Sequence, residues 1–166
     1  MPKLTIVLTL YDRGNYYDYP MRWMTFADKH LNQFKIIIAD GTGNKKIEKY
    51  FKNKKNFPKS MVQYIKYKKN KNYRDYFVKL SDCISRVKTK YTILADDDDF
   101  YSYNGLKKSI EFLEKNKEFI ACRGLIGVFK ITKLKLGNIY IPKIQKSLVH
   151  NTASKRCKGI FFEDIL

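Results

Sequence analysis

Four consecutive aspartates, Asp96 to Asp99, follow directly on an apolar run, Tyr91-Thr-Ile-Leu-Ala95. Adjacent carboxylates repel one another, and the repulsion grows in a partly dry site. Full exposure to water would remove the conflict, but these residues stand where a buried strand should end. A hard divalent cation such as Mg²⁺ or Mn²⁺ would also remove it, because such ions prefer oxygen ligands and bridge carboxylate to phosphate. The spacing therefore points to metal-assisted phosphate chemistry, with a plain solvated acidic loop as the simpler reading.

Two other polar clusters end apolar runs. Leu4-Thr-Ile-Val-Leu-Thr-Leu10 is β-branched and almost wholly apolar, as a strand covered on both faces should be, and it stops at Tyr11-Asp12-Arg13. Phe34-Lys-Ile-Ile-Ile-Ala39 stops at Asp40-Gly41-Thr42. Between these runs the periodicity changes. Met21 to Leu31 reads as a helix with Trp23, Phe26, Ala27 and Leu31 near one face, and Ile47, Tyr50 and Phe51 give a short helix its apolar side. Val62 to Tyr67 alternates as a third strand. Tyr73, Phe77, Leu80, Ile84 and Val87 recur at helical spacing, predicting an amphipathic helix whose buried stripe they form. A further helix is expected from about Asn104 to Asn116, then strands over Glu118 to Arg123, Leu125 to Lys133 and Ile139 to Ile141.

Strand and helix thus alternate through the first two-thirds of the chain. That predicts an α/β fold, a Rossmann-type sandwich with a mostly parallel central sheet flanked by helices. Ligands of such sheets bind beyond the carboxyl ends of the strands, where all three polar clusters fall. The chain is read as a single domain over residues 1–166, abbreviated at its C-terminus.

Composition narrows the partners. Thirty-four Lys and Arg against sixteen Asp and Glu give a net charge of +18, which favours anionic ligands or surfaces. Abundant Lys, Asn, Ile and Tyr can equally reflect codon bias. The three cysteines, Cys83, Cys122 and Cys157, lack metal spacing, and the two histidines, His30 and His150, lack a ligand partner in sequence. Reduced core thiols and a cytosolic setting follow. No run approaches the roughly 20 apolar residues of a membrane span, and the N-terminus passes straight into a strand without a secretory signal.

These segments resemble a known family. Leu4 to Arg13, Ile36 to Thr42 and Tyr91 to Phe100 are similar to the three nucleotide-binding segments of family 2 glycosyltransferases with the GT-A fold, and Leu106 to Asn116 resembles the segment that follows in a bacterial subgroup. The chain has Thr9-Leu10-Tyr11-Asp12-Arg13 where the family commonly has Thr-Tyr-Asn-Arg. It keeps Asp40-Gly41-Thr42 of a common Asp-Asp-Gly-Ser, with Ala39 in the first place. The resemblance implies a metal-dependent enzyme that moves a sugar from a nucleotide diphosphate sugar to an acceptor hydroxyl with inversion, in surface glycan synthesis. It implies nucleotide-sugar contacts from Thr9, Tyr11, Arg13, Asp40, Gly41, Asp96 and Asp97. Asp98 looks like the principal metal carboxylate, with Asp96 and Asp99 beside it, although four aspartates in a row leave the register among Asp96, Asp97, Asp98 and Asp99 open. Glu163 or Asp164 resembles the late acidic pair that supplies the catalytic base, and Asn151 to Arg156 is a candidate acceptor-side loop. A glycan or lipid-linked acceptor follows, with peripheral contact at the anionic inner face of the membrane through the basic surface.

The residues allow two other readings. Asp40-Gly41-Thr42 matches the end of a haloacid-dehalogenase phosphohydrolase motif, but Ile38 stands where the nucleophilic Asp is required. Tyr64 to Tyr73 interleaves Tyr and Lys as a basic nucleic-acid-binding α/β domain without catalysis would, yet the carboxylates would repel a phosphate backbone, so no nucleic acid is expected.

Overall fold

The computed structural model describes residues 1–14, 18–124, 128–133 and 140–145. The chain separates into two compact units, Met1–Tyr103 and Asn104–Leu166.

The first unit is an α/β sandwich. Its strands are β1 (Leu4–Leu10), β2 (Lys35–Asp40), β3 (Met61–Lys66) and β4 (Tyr91–Ala95), and its helices are α1 (Tyr19–His30), α2 (Lys45–Lys52) and α3 (Tyr73–Ser85). The sheet runs β3-β2-β1-β4 and every pairing is parallel. β1 is flanked on both sides and all seven of its residues are buried, which is why its sequence lacks the polar alternation of a half-exposed strand. The chain winds from β1 outward through β2 to β3, then returns to the far side of β1 as β4. The winding reverses between β1 and β4, the switch point where open α/β sheets take their ligands.

Helix ends are set by side chains. Asn44 accepts from Lys46 N at the start of α2, and Asn72 accepts from Asp75 N at the start of α3. Pro20 opens α1 in its first turn. Pro20, Trp23, Met24 and Ala27 are the buried face of α1, and Leu31 caps it, also buried. Residues of alternate parity on the sheet serve opposite layers. Val7, Ile37 and Ala39 pack with Cys83 of α3, and with Leu80, Val87 and Leu94 at the margin.

The buried face of α3 differs from the expected stripe. Tyr73, Phe77 and Ile84 are exposed, whereas Lys79 and Cys83 are fully buried. The turn of the helix is set by what Lys79 finds beneath it, a carbonyl acceptor at the end of β1.

The second unit carries α4 (Tyr103–Lys115), which begins at the boundary, and an antiparallel pair of strands, β5 (Val128–Lys133) and β6 (Tyr140–Gln145). Residues 118–123, expected as a strand, are instead turn, a single bridge residue at Phe119, and irregular chain. Pro142, expected to lie beyond a strand, sits within β6 opposite Ile131. Among the described residues no helix is long and apolar enough to cross a membrane.

Candidate nucleotide-sugar site

The four aspartates form a turn, closed by Asp99 N donating to Asp96 O at 3.2 Å. A turn fans its side chains apart. Asp97 points inward and is 3% exposed, while Asp98 is 48% exposed. The turn is anchored from outside by α1. Trp23 Nε1 donates to Asp99 O at 2.8 Å, and Phe26 meets Phe100 edge to face at 5.0 Å between ring centroids. Tyr101 Oη donates back to Leu94 O at 3.0 Å.

Across the switch point stands Arg13. Its Nη1 and Nη2 donate to Asp98 Oδ2 and Oδ1 at 2.9 and 3.1 Å, the planar fork matched to a carboxylate. Its Nε lies 3.0 Å from Asp97 Oδ1, but without the alignment of a hydrogen bond, so that contact is Coulombic. The guanidinium also stacks 4.5 Å from the Tyr11 ring centroid. Thr9, buried at the end of β1, donates to Asp96 Oδ1 at a long 3.5 Å. Thr9, Tyr11, Arg13, Asp96, Asp97 and Asp98 therefore converge, as β1 and β4 are hydrogen-bonded neighbours.

The electrostatics of the pair are uneven. Burial works against the charge on Arg13, but Asp97 and Asp98 outweigh it and hold the guanidinium pKa above its usual value. Asp97 moves the other way: burial pushes it up to about 6, with Asp98 and Asp96 adding to the rise and Arg13 opposing it. Burial also raises Asp99, with help from Asp98 and Asp96.

Asp40 closes β2 and is fully buried. Its Oδ1 accepts from Thr42 N and Thr42 Oγ1 at 2.8 and 2.7 Å, and its Oδ2 accepts from Tyr64 Oη and Lys66 Nζ at 2.5 and 2.8 Å. Burial alone would raise its pKa, but Lys66, Tyr64 and Thr42 outweigh it and hold the carboxyl below the ordinary range. Both oxygens are thus engaged by the protein, and a base or ribose reaches Asp40 only by displacing one of these donors. The register explains the arrangement, since Lys66 is the direct β3 partner of Asp40.

Gly41 has a neighbour that sequence reasoning missed. A methyl group there would stand 2.3 Å from Asn70 Oδ1. Lys79 was missed as well. Its Nζ is buried and donates to Leu10 O at 2.7 Å, the same carbonyl that accepts from Gly41 N at 3.0 Å. Burial pushes this ammonium down to about 8, against the pull of Asp40, Cys83 and Asp96. The signal for it was a lysine in register with Cys83 on the buried side of α3.

A small cleft of about 10 Å³ is lined by Tyr11, Arg13, Thr42, Asn44, Ile47 and Asp97. A larger concavity of about 400 Å³ lies at the opposite, amino ends of the strands, between Thr5, Lys35 and Met61, away from the carboxylates. Among the described residues no group of three or more His, Cys, Asp or Glu side chains is arranged to hold a metal. Glu163, Asp164 and Asn151 to Arg156 lie outside the described residues.

A parallel sheet with an arginine-bridged acidic turn at its switch point carries its polar groups where open α/β sheets take ligands. The family model "Glycosyl transferase family 2" matches residues 25–159. The chain belongs to that family, and its parallel sheet flanked by helices is the α/β architecture that the sequence led one to expect. Among solved structures it is similar to the one described as S. aureus TarS 1-349, with 13% sequence identity and a TM-score of 0.45. That similarity covers 85% of this chain and 38% of the other, so this chain spans well under half the length of that one. No curated protein sequence matches the chain.

Proposed function

We propose that this protein transfers a sugar from a nucleotide diphosphate sugar to an acceptor hydroxyl, in a metal-dependent and inverting reaction of surface glycan synthesis. Family membership supports glycosyl transfer. The single observation that carries the donor site is the convergence of Arg13 with Asp97 and Asp98 across the β1–β4 switch point.

The donor set fits a hard divalent cation of the kind held by one or two carboxylates together with substrate phosphates. Asp96 and Asp98 would hold Mg²⁺ or Mn²⁺, with Asp99 beside them. Bound there, the ion would stabilise the negative charge that develops on the leaving nucleoside diphosphate. Asp98 is 48% exposed, so an ion and a substrate phosphate could reach it.

The protein's own groups have separate tasks. Arg13 offers a planar fork that can exchange the Asp98 carboxylate for a phosphate. Tyr11 backs it with a ring face. Lys79 and Gly41 both hold the Leu10 carbonyl, which fixes the point where the Tyr11–Arg13 loop leaves β1. Inversion requires a base that takes the acceptor hydroxyl proton, and Glu163 or Asp164 is proposed for it. The acceptor is proposed to be a glycan or lipid-linked hydroxyl, met at the cytoplasmic face of an anionic membrane through the basic surface.

Thermal-shift measurements with UDP, GDP, TDP and CDP sugars, each with and without Mn²⁺, test the reading. A ligand selective for the folded state raises the melting temperature by mass action. One of these donors should do so only with metal, and D98A should abolish the shift. Failure of every donor at saturating metal would defeat the proposal.

A further inference from the structure

The concavity of about 400 Å³ at the amino ends of the strands is lined by Lys35, Lys54, Arg86 and Lys88, and by no carboxylate. Its volume is that of a small-molecule site. The four cations come from separate segments. Lys35 opens β2, Lys54 opens a short 3-10 turn, Arg86 caps α3, and Lys88 lies in the link from α3 to β4. Their meeting is therefore a product of the fold and not of one lysine-rich run.

Elsewhere in this unit cations find carboxylates, as in the pairs Lys52–Glu48, Lys66–Asp40 and Lys69–Asp12. Among the described residues no carboxylate is in ion-pair contact with Lys35, Lys54 or Lys88. Arg86 gives Nε and Nη2 to Asp82, at 2.9 and 3.1 Å, which leaves Nη1 outside that pair. Like charges gathered in a concave wall without counter-charge concentrate anions there.

The wall is anchored. Lys35 stands in register between Thr5 of β1 and Met61 of β3. Thr89, next to Lys88, shares a 2.7 Å hydrogen bond with Thr5 and donates to Tyr91 O at 2.8 Å. The segment carrying Phe57, Pro58 and Ser60 is tied to α1, where Lys59 N donates to Asp28 Oδ1 at 3.0 Å. Phe57, Pro58 and Met61 supply an apolar side to the lining. Ser60 belongs to the same lining, and its Oγ is buried without a hydrogen-bond partner. A hydroxyl can rotate to donate to a ligand oxygen.

We propose that this concavity is a second ligand site, which binds a phosphate monoester carrying a small apolar or aromatic body. A doubly charged phosphate satisfies several separate ammonium groups at once, with the lysines acting as point charges. The apolar side receives the rest of the molecule. A soluble metabolite and a lipid headgroup can both present this chemistry. The site lies away from the acidic turn, and the inference stands independently of the transferase reading.

The test is isothermal titration of phenyl phosphate, inorganic phosphate and phenol, without metal, into the wild type, K35A/K88A, K54E, R13A and K107A/K108A. The substituted lysines are exposed, and ligand-free melting temperatures verify that each variant is folded. Phenyl phosphate should bind the wild type more tightly than phosphate or phenol does. K35A/K88A and K54E alter different segments, and at least one of them should weaken binding by about tenfold or more. R13A and K107A/K108A should leave it unchanged. A wild type that binds no phenyl phosphate, or binds phenol equally well, overturns the inference. So does wild-type affinity in both K35A/K88A and K54E. Loss confined to R13A would put the anion at the switch point, and an equal loss in K107A/K108A would mark diffuse surface charge; either result also overturns it. Co-sedimentation with phosphatidylcholine vesicles containing phosphatidic acid separates the two sources. Retention that K35A/K88A reduces assigns the headgroup, and phenyl phosphate binding without retention assigns a soluble ligand.

Discussion

Arg13 and Asp98, 85 residues apart in the chain, are joined by two parallel N–H···O contacts of 2.9 and 3.1 Å. The bond pins the loop after β1 to the turn after β4, so one ion pair spans the switch point. Because Asp97 beside it is 3% exposed, deleting Arg13 strands a buried carboxylate. R13A should destabilise the ligand-free protein by about 1–3 kcal/mol in urea denaturation. R13K should recover only part of this, since an ammonium cannot form the fork. A double-mutant cycle of R13A with D98A should show coupling of about 1 kcal/mol.

Trp23 is the only tryptophan of the chain, and its Nε1 is bonded to Asp99 O at 2.8 Å. Its fluorescence therefore reports on the acidic turn. Mg²⁺ added with UDP should change the emission intensity, and D98A should remove the response. W23F should keep the apolar contact with the core, lose the hydrogen bond, and cost about 1 kcal/mol. Emission that is the same with and without Mg²⁺ and UDP would argue against an ion at this turn.

Lys79 makes stability depend on alkaline pH. Its folded-state pKa is lowered from 10.5 to about 8, mainly by burial. Between those values the unfolded chain holds more protons at this group than the folded one, so stability rises with pH across that window. Below about 8 the cost of the buried ammonium is fully present. K79M, similar in length and uncharged, should lack this rise. The difference between the two proteins' denaturation free energies from pH 7 to pH 10.5 measures it.

Gly41 and Asn70 should be energetically coupled. G41A places a methyl 2.3 Å from Asn70 Oδ1, and overpacking of this kind costs about 1–3 kcal/mol. Shortening the neighbour relieves the clash, so G41A combined with N70A should be more stable than G41A alone. Additive losses in thermal denaturation would mean the strain is taken up elsewhere.

Much of this architecture was legible in the chain. β1, β2 and β4 announce themselves as apolar runs ending in polar clusters, and a parallel sheet brings such ends to one edge by construction. Pairing across that edge was not legible. That Lys66 and Tyr64 would saturate Asp40 depends on the β2–β3 register, which no local pattern fixes. Read alone, the alternation from Val62 to Tyr67 gives only a strand. The α3 face was misread for a related reason. Periodicity treats lysine as exposed, whereas Lys79 is buried because the Leu10 carbonyl is there to receive it. Tyr73, Phe77 and Ile84 consequently turn to solvent. The expected strand over 118–123 failed because a short apolar stretch carries no information on whether a partner strand lies beside it.

The order β3-β2-β1-β4 has a temporal consequence for the growing chain. The carboxylate turn emerges from synthesis long after Arg13, its counter-charge, and the two meet only when β4 pairs with β1. Loop closure over that span is slow compared with local helix formation. Until it is complete the acidic turn has no arginine beside it, and the proposed metal-dependent nucleotide binding becomes a marker that folding of this unit has finished.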